Sequence, residues 1–176
     1  MTNQINNERY LVKLHQDILK IMDEVERICT KFHLCYYLMG GSCLGAIRHN
    51  GFIPWDDDLD IVMPRADFDR FIALLSDDNN KCEKDRVLGD GFFLRWISTE
   101  KSYNLPYAKV CLKGTKFQEI NGLAAKSAGI FVDVFPLDSC GPYGKIIKLK
   151  SYFLSALNNC LFYKGVTRVT CITTWD

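Results

Sequence analysis

Apolar residues recur at three-to-four spacing from Glu8 to Phe32, at Leu11, Leu14, Ile18, Ile21, Met22, Val25, Ile28, Cys29 and Phe32. That period gathers them on one stripe and predicts a long amphipathic helix with its polar face in solvent. The pattern then changes. Cys35–Met39 is a short aromatic and aliphatic run ending at Gly40-Gly41, which predicts a buried strand meeting a tight turn, with Ser42 capping a short helix through His49. Asn50-Gly51 and Pro54 predict a loop. Leu59–Met63 reads as a strand stopped by Pro64, and Ala66–Leu75 as a helix. Phe92–Ile97, Tyr107–Leu112 and Gly129–Phe135 read as further strands, the last closed by Pro136, and the chain from Tyr143 onward as mostly helical. Strands mixed with helices, without strict βαβ alternation, predict an α+β domain, a mixed β-sheet flanked by helices.

There is no internal repeat, and the polar stretches Asp77–Asn80 and Glu100–Ser102 read as surface loops rather than linkers. At 176 residues the chain is of single-domain length. A hydrophobic content of 48% and a charged content of 24% are those of a globular protein. The formal net charge of +1 advertises neither nucleic acid nor an anionic membrane as partner, so any electrostatic work is local. Eight cysteines occur without a CxxC pair, behind a polar N-terminus that lacks the apolar core of a signal peptide. They are read as reduced thiols of a cytoplasmic protein. No run reaches the roughly 18 apolar residues of a spanning helix. Ser151–Tyr163 is read as an amphipathic helix on a core, with a membrane-surface role left open.

The chemistry concentrates where four aspartates fall within five residues, Asp56, Asp57, Asp58 and Asp60, directly ahead of an apolar run. Side chains alternate on a strand, so Asp58 and Asp60 share one face while Leu59 and Ile61 point into the core. Carboxylates at that spacing lie about 7 Å apart at their Cα atoms, near enough to ligate one divalent metal or share a pair. Asp133 stands alone among Phe131, Val132, Val134 and Phe135. A carboxylate on so apolar a run needs a partner, which makes it a third metal ligand or a catalytic base, or else a turn cap or an arginine partner. A calcium EF-hand is excluded, because Ile61 stands where glycine is required and Asp67 where glutamate is.

Gly40-Gly41-Ser42 at a strand-to-helix junction offers backbone N–H groups, a hydroxyl and the positive end of a helix to an anion. It matches neither the Walker A loop nor the dinucleotide-binding fingerprint. Anion donors followed some sixteen residues later by metal-binding acids point to a metal-chelated phosphate ester.

These residues carry a resemblance. The string GSCLGAIRHNGFIPWDDDLDIVM, from Gly41 to Met63, closely resembles the signature of the LicD-type phosphocholine transferase family, which includes the fukutin-related proteins. IFVDVFPLD, ending at Asp138, looks like that family's second motif, and YAKVCLKGTKF, from Tyr107, is similar to the stretch between them. The resemblance implies a nucleotidyltransferase-like fold. Its glycine-serine turn, here Gly41-Ser42, holds nucleotide phosphates, while Asp58, Asp60 and Asp133 bind Mg²⁺ or Mn²⁺. It implies a CDP-linked donor, often CDP-choline, and a glycan or teichoic acid acceptor decorated at the cytoplasmic face of a membrane. Members of the family are longer, so the chain is expected to be one domain, 1–176, truncated at its C-terminus. Arg48 and Lys109 are candidates for phosphate contacts or structural ion pairs. Trp55 is a candidate for stacking on a base or a choline cation, or for anchoring the loop. His49 would hydrogen-bond substrate or pack the loop, and Asp56 and Asp57 have no assigned role.

Overall fold

A computed structural model describes residues 2–76, 86–100, 103, 105–117 and 129–139, and of residues 2–8 only the backbone. The helical reading from Tyr143 onward, the Ser151–Tyr163 stretch and the Asp77–Asn80 loop lie outside the described residues. The elements run α1 (Thr2–Phe32), β1 (Tyr37–Leu38), α2 (Gly40–His49), β2 (Asp60–Pro64), α3 (Arg65–Ser76), β3 (Phe92–Arg95), β4 (Ala108–Leu112) and β5 (Phe131–Leu137). The described residues through Leu137 belong to one compact unit.

Five strands form one sheet in the order β1-β2-β5-β4-β3. β2 and β5 run parallel and the other three pairs antiparallel, so the sheet is mixed and the fold is α+β, as the element pattern predicted. One face of the sheet makes the core. Leu59, Ile61 and Met63 project from the β2 segment, Val132 and Val134 from β5, Ala108 and Val110 from β4, and Leu94 from β3. Against them pack Leu14, Ile18, Ile21, Val25 and Ile28 of α1, and Phe68, Phe71 and Leu75 of α3. The predicted stripe of α1 is the buried stripe. α1 ends where His33 takes a left-handed conformation (φ 52°), and the Leu34 N–H bonds back to the Cys29 carbonyl at 2.9 Å, closing the last turn.

Three boundaries differ from expectation, each for a local reason. The expected strand Cys35–Met39 shrinks to two residues with Tyr37 57% exposed, because β1 is an edge strand held only by β2. The expected strand through Ile97 ends at Arg95. There the Thr99 hydroxyl accepts the Trp96 N–H and donates to the Leu94 carbonyl, turning the chain and leaving Ile97 outside. Pro136 does not close β5. The Asp133 N–H points to β2, so alternation turns the position of Pro136's missing N–H toward β4, whose pairing has already ended at Ala108. Cys29, Cys35, Cys43 and Cys111 are free thiols, and burial pushes Cys29 and Cys111 up to about 12.

Glu24 ties α1 to the segment that enters β3. Its carboxylate accepts the Gly89 N–H at 2.7 Å and two bonds from Arg27, which also reaches the Val87 carbonyl. Burial pushes the Glu24 carboxyl up, but the Arg27 hydrogen bonds, the Gly89 amide and the Arg27 charge together bring it below its usual value of 4.5. A depressed carboxyl stabilises the fold above its unfolded pKa and loses that contribution as pH falls through the folded one. Glu24→Gln is therefore expected to cost about 1 kcal/mol in urea melts at neutral pH. The difference from wild type should close as the pH is taken below the carboxyl's range.

Candidate active site

The acid-bearing segment is held in place by α1 and α2. Gly45 lets the 51–53 backbone approach α2 so closely that a Cβ would meet the Gly51 carbonyl at 2.6 Å and the Ile53 nitrogen at 2.9 Å. The Asp56 N–H closes a turn onto the Ile53 carbonyl at 3.0 Å. From α1, His15 donates through Nε2 to the Asp56 carbonyl at 2.6 Å, and its ring stacks on Phe52 at 4.1 Å and 3°. Downstream, the Asp60 N–H donates to the Ser42 hydroxyl at 2.8 Å and the Met39 N–H to the Asp60 carbonyl at 3.0 Å. The acids thus sit between the start of α2 and the head of β2.

Asp56, Asp57 and Asp58 bring carboxylate oxygens within 4.8 Å of one another. Asp56 also lies against α2, where a Cβ on Gly41 would meet its Oδ2 at 2.6 Å, while Gly40, at φ +57°, faces the Asp60 carboxylate. The first amides of a ten-residue helix lack intrahelical partners and carry its positive end, so carboxylates and phosphates are both favoured there. Burial pushes the half-buried Asp58 carboxyl up to about 6, with the charges of Asp60, Asp56 and Asp57 and a hydrogen bond with Asp56 adding to the rise. Burial also raises Asp60, Lys109 pulls it back down, and Asp56 adds to the net rise. Such crowding is relieved by a bound dication. A set of hard carboxylate oxygens fits Mg²⁺ or Mn²⁺ and suits no soft metal.

Strand register then aligns four charged side chains on the face opposite the core. Asp60 of β2 pairs with Asp133 of β5, Asp133 with Lys109 of β4, and Lys109 with Arg95 of β3. Asp133, Lys109 and Arg95 are buried. The Lys109 ammonium lies 3.0 Å from Asp133 Oδ1 and 3.4 Å from Oδ2, and 3.3 Å from the Phe131 ring centroid. Arg95 is held by Glu100 at 2.8 Å and lies over the Tyr103 ring.

Gly41 lies against Asp56, Gly40 and Ser42 against Asp60, and Asp60 beside Asp133, while the close carboxylate cluster is Asp56, Asp57 and Asp58. Ser42 is the third residue of α2 rather than its cap, and its hydroxyl is engaged by the Asp60 amide. Lys109 lies inside the sheet, in an ion pair. Arg48 is exposed in the last turn of α2, at the opposite end from the glycines. Trp55 is 76% exposed, edge-on to the exposed His49 with ring centroids 6.4 Å apart. Asp56, without a role from the sequence, is central here. His15 and Arg95 gave no signal, since each joins the site through partners far away in sequence.

The class defined here is an α+β domain that gathers acids between a glycine-led helix and a mixed sheet. Residues 33–140 match the sequence profile of the LicD/FKTN/FKRP nucleotidyltransferase domain, and the chain belongs to that family. It is similar to the lipopolysaccharide cholinephosphotransferase LicD of Haemophilus influenzae, with 48% identity over 54 residues, covering 31% of this chain and 20% of that protein. An uncharacterized protein of Rickettsia typhi is 35% identical over 72 residues, covering 41% of this chain and 23% of the relative. A Rickettsia prowazekii protein, also uncharacterized, is 36% identical over 64 residues, 36% of this chain and 24% of the relative. The matched segments thus span about a fifth to a quarter of these relatives. Among the described residues no helix is long and apolar enough to cross a membrane.

A carboxyl raised in the folded state destabilises the fold as pH rises from its unfolded value of 3.8 through about 6. With EDTA present, Asp58→Asn should melt higher than wild type above that window and no higher near its acid end. Solvent screening of this half-buried group reduces the gain to about 1 kcal/mol, or roughly 3 °C, and added Mg²⁺ should erase it. Gly45→Ala must shift backbone and should cost about 2 kcal/mol, whereas Gly41→Ala meets only a movable carboxylate. It should leave the melting temperature nearly unchanged while weakening Mn²⁺ binding.

Proposed function

We propose that the chain carries the catalytic centre of a Mg²⁺-dependent transferase. It moves a phosphocholine-type group from a CDP-activated donor to a hydroxyl of a cell-surface glycan, such as a lipopolysaccharide or teichoic acid precursor. The observation that carries this reading is the Asp56–Asp58 carboxylate cluster, packed against the first turn of α2 within the family's motif. The cholinephosphotransferase activity for which the Haemophilus relative is named supports the choice of group.

Asp58 and Asp60 would hold the divalent ion, with Asp56 beside them, and when bound the ion would neutralise charge on the donor's diphosphate. Gly40 and Gly41 present backbone N–H groups without a side chain in the way, so the donor phosphates lie against the positive end of α2. Ser42 holds Asp60 in register through its amide. Asp133, paired with Lys109, takes the proton of the incoming hydroxyl at a carboxylate oxygen. The hydroxyl oxygen attacks the substituted phosphorus, the bridging P–O bond breaks, and CMP leaves. The reaction would take place at the inner face of the membrane, with peripheral contact and without nucleic acid.

The family's description as a nucleotidyltransferase domain favours a second reading, attack at the α-phosphate of an NTP by the same centre. Product analysis separates the two, since CMP release from CDP-choline supports the first and pyrophosphate release from an NTP the second. The first test is a thermal-shift screen of CDP-choline, CDP-ribitol, CTP and UTP with and without Mg²⁺. A metal-dependent shift with a CDP-linked ligand is expected, and none with any nucleotide would sink both readings. Asp58→Asn and Asp60→Asn should each lower turnover about a hundredfold or more while the protein stays folded. Unchanged nucleotide and metal binding in both variants would instead mark a silent binding domain.

A further inference from the structure

We propose that Lys109 is the resident counter-cation of the acidic centre. Its ammonium, sealed in the sheet, occupies the place of a second divalent ion, so that the chain binds one such ion and not two. The inference rests on reading Asp58 and Asp60 as the ligands of a divalent ion, and it assigns Lys109 a positioning role rather than contact with phosphate.

Three observations carry it. Lys109 is 1% exposed, and its ammonium is spent on Asp133 Oδ1 and Oδ2 and on the face of Phe131, with Tyr107 at 5.5 Å. An ammonium fixed in this way cannot also reach a ligand in solvent. Second, register puts Asp133 between Asp60 and Lys109, so the lysine's charge serves the strand pair that carries both acids. Third, the neighbouring cation is committed elsewhere, because Arg95 is forked onto Glu100 through Nε and Nη2. Along the row Glu100, Arg95, Lys109, Asp133 and Asp60, three carboxylates face two cations. Lys109 is the cation beside the two aspartates. A divalent ion lodged between Asp133 and Asp60 would have to displace that ammonium or stand against its like charge. The remaining negative charge lies on the solvent side, with Asp56, Asp57 and Asp58, where one dication suffices.

The test is a Mn²⁺ titration of the full chain at neutral pH, following the free-ion electron paramagnetic resonance signal, with melting curves in EDTA and in Mn²⁺. Wild type should bind one ion. Lys109→Met removes the ammonium beside the buried Asp133, so it should melt roughly 10 °C lower in EDTA. It should then bind two ions and recover most of that loss in Mn²⁺. Lys109→Met with Asp133→Asn removes both charges and should return to one ion and a metal-independent fold. Should the single variant fail to fold in either buffer, a folded one-ion double variant still supports the charge role. An unfolded double variant overturns it, since the lysine would then be needed for shape alone. Two ions in wild type, or one ion and metal-independent melting in Lys109→Met, overturn the inference while leaving the divalent-ion reading intact. No ion in wild type overturns that reading and this inference with it.

Discussion

The parallel pairing of β2 with β5 sets Asp60 directly beside Asp133, and the charged interior of the domain is organised around that contact. Two carboxylates brought together on a buried sheet face repel one another and lose hydration. The fold meets this by extending the row through Lys109 and Arg95 on the next two strands, with Glu100 closing the far end. Breaking one partner of such a pair is costly, on the order of 3–5 kcal/mol, because the other is left charged and buried. The row is therefore a structural commitment as well as a feature of the site. The opposite face of the same strands is apolar and carries the core against α1 and α3.

A second arrangement serves the solvent-side acids. Asp56, Asp57 and Asp58 lie ahead of the strand, where no ladder fixes them. Their place is set by contacts from elsewhere: the bare Cα of Gly45 receiving the loop, the His15 hydrogen bond to the Asp56 carbonyl, and Ser42 gripping the Asp60 amide. Each contact is modest alone. Together they hold like charges closer than the charges alone would allow. An acid pushed up to about 6 is the electrostatic record of that constraint, and a bound cation is its natural relief.

The helix of α1, the core strands and the α+β class were legible because hydrophobic period survives any detail of packing. Asp58, Asp60 and Asp133 were legible as well, since an acid amid aliphatic residues is costly enough to demand a reason. Other positions were less legible. Lys109 stayed open between a phosphate contact and a structural ion pair, because a lysine on a strand carries no mark of what lies opposite it. Ser42 read as a cap because a serine after two glycines often is one, yet the helix begins two residues earlier. Asp56 had no assignable role, because its meaning is its distance from Gly41 and Asp58 after the 53–56 turn forms.

The sequence by itself determined which residues are apolar, where helices and strands lie, and which acids are too close to the core to be incidental. It also determined the family, through a motif whose order of glycines, loop and acids is local. Tertiary structure alone decided the neighbours. Which cation faces Asp133, which histidine holds the acid loop and which glycine must stay bare depend on register and on contacts tens of residues apart. Those choices are made when sheet and helices close on one another, because chain order limits which strands can pair while hydrogen bonding and burial select the register that sets Lys109 beside Asp133.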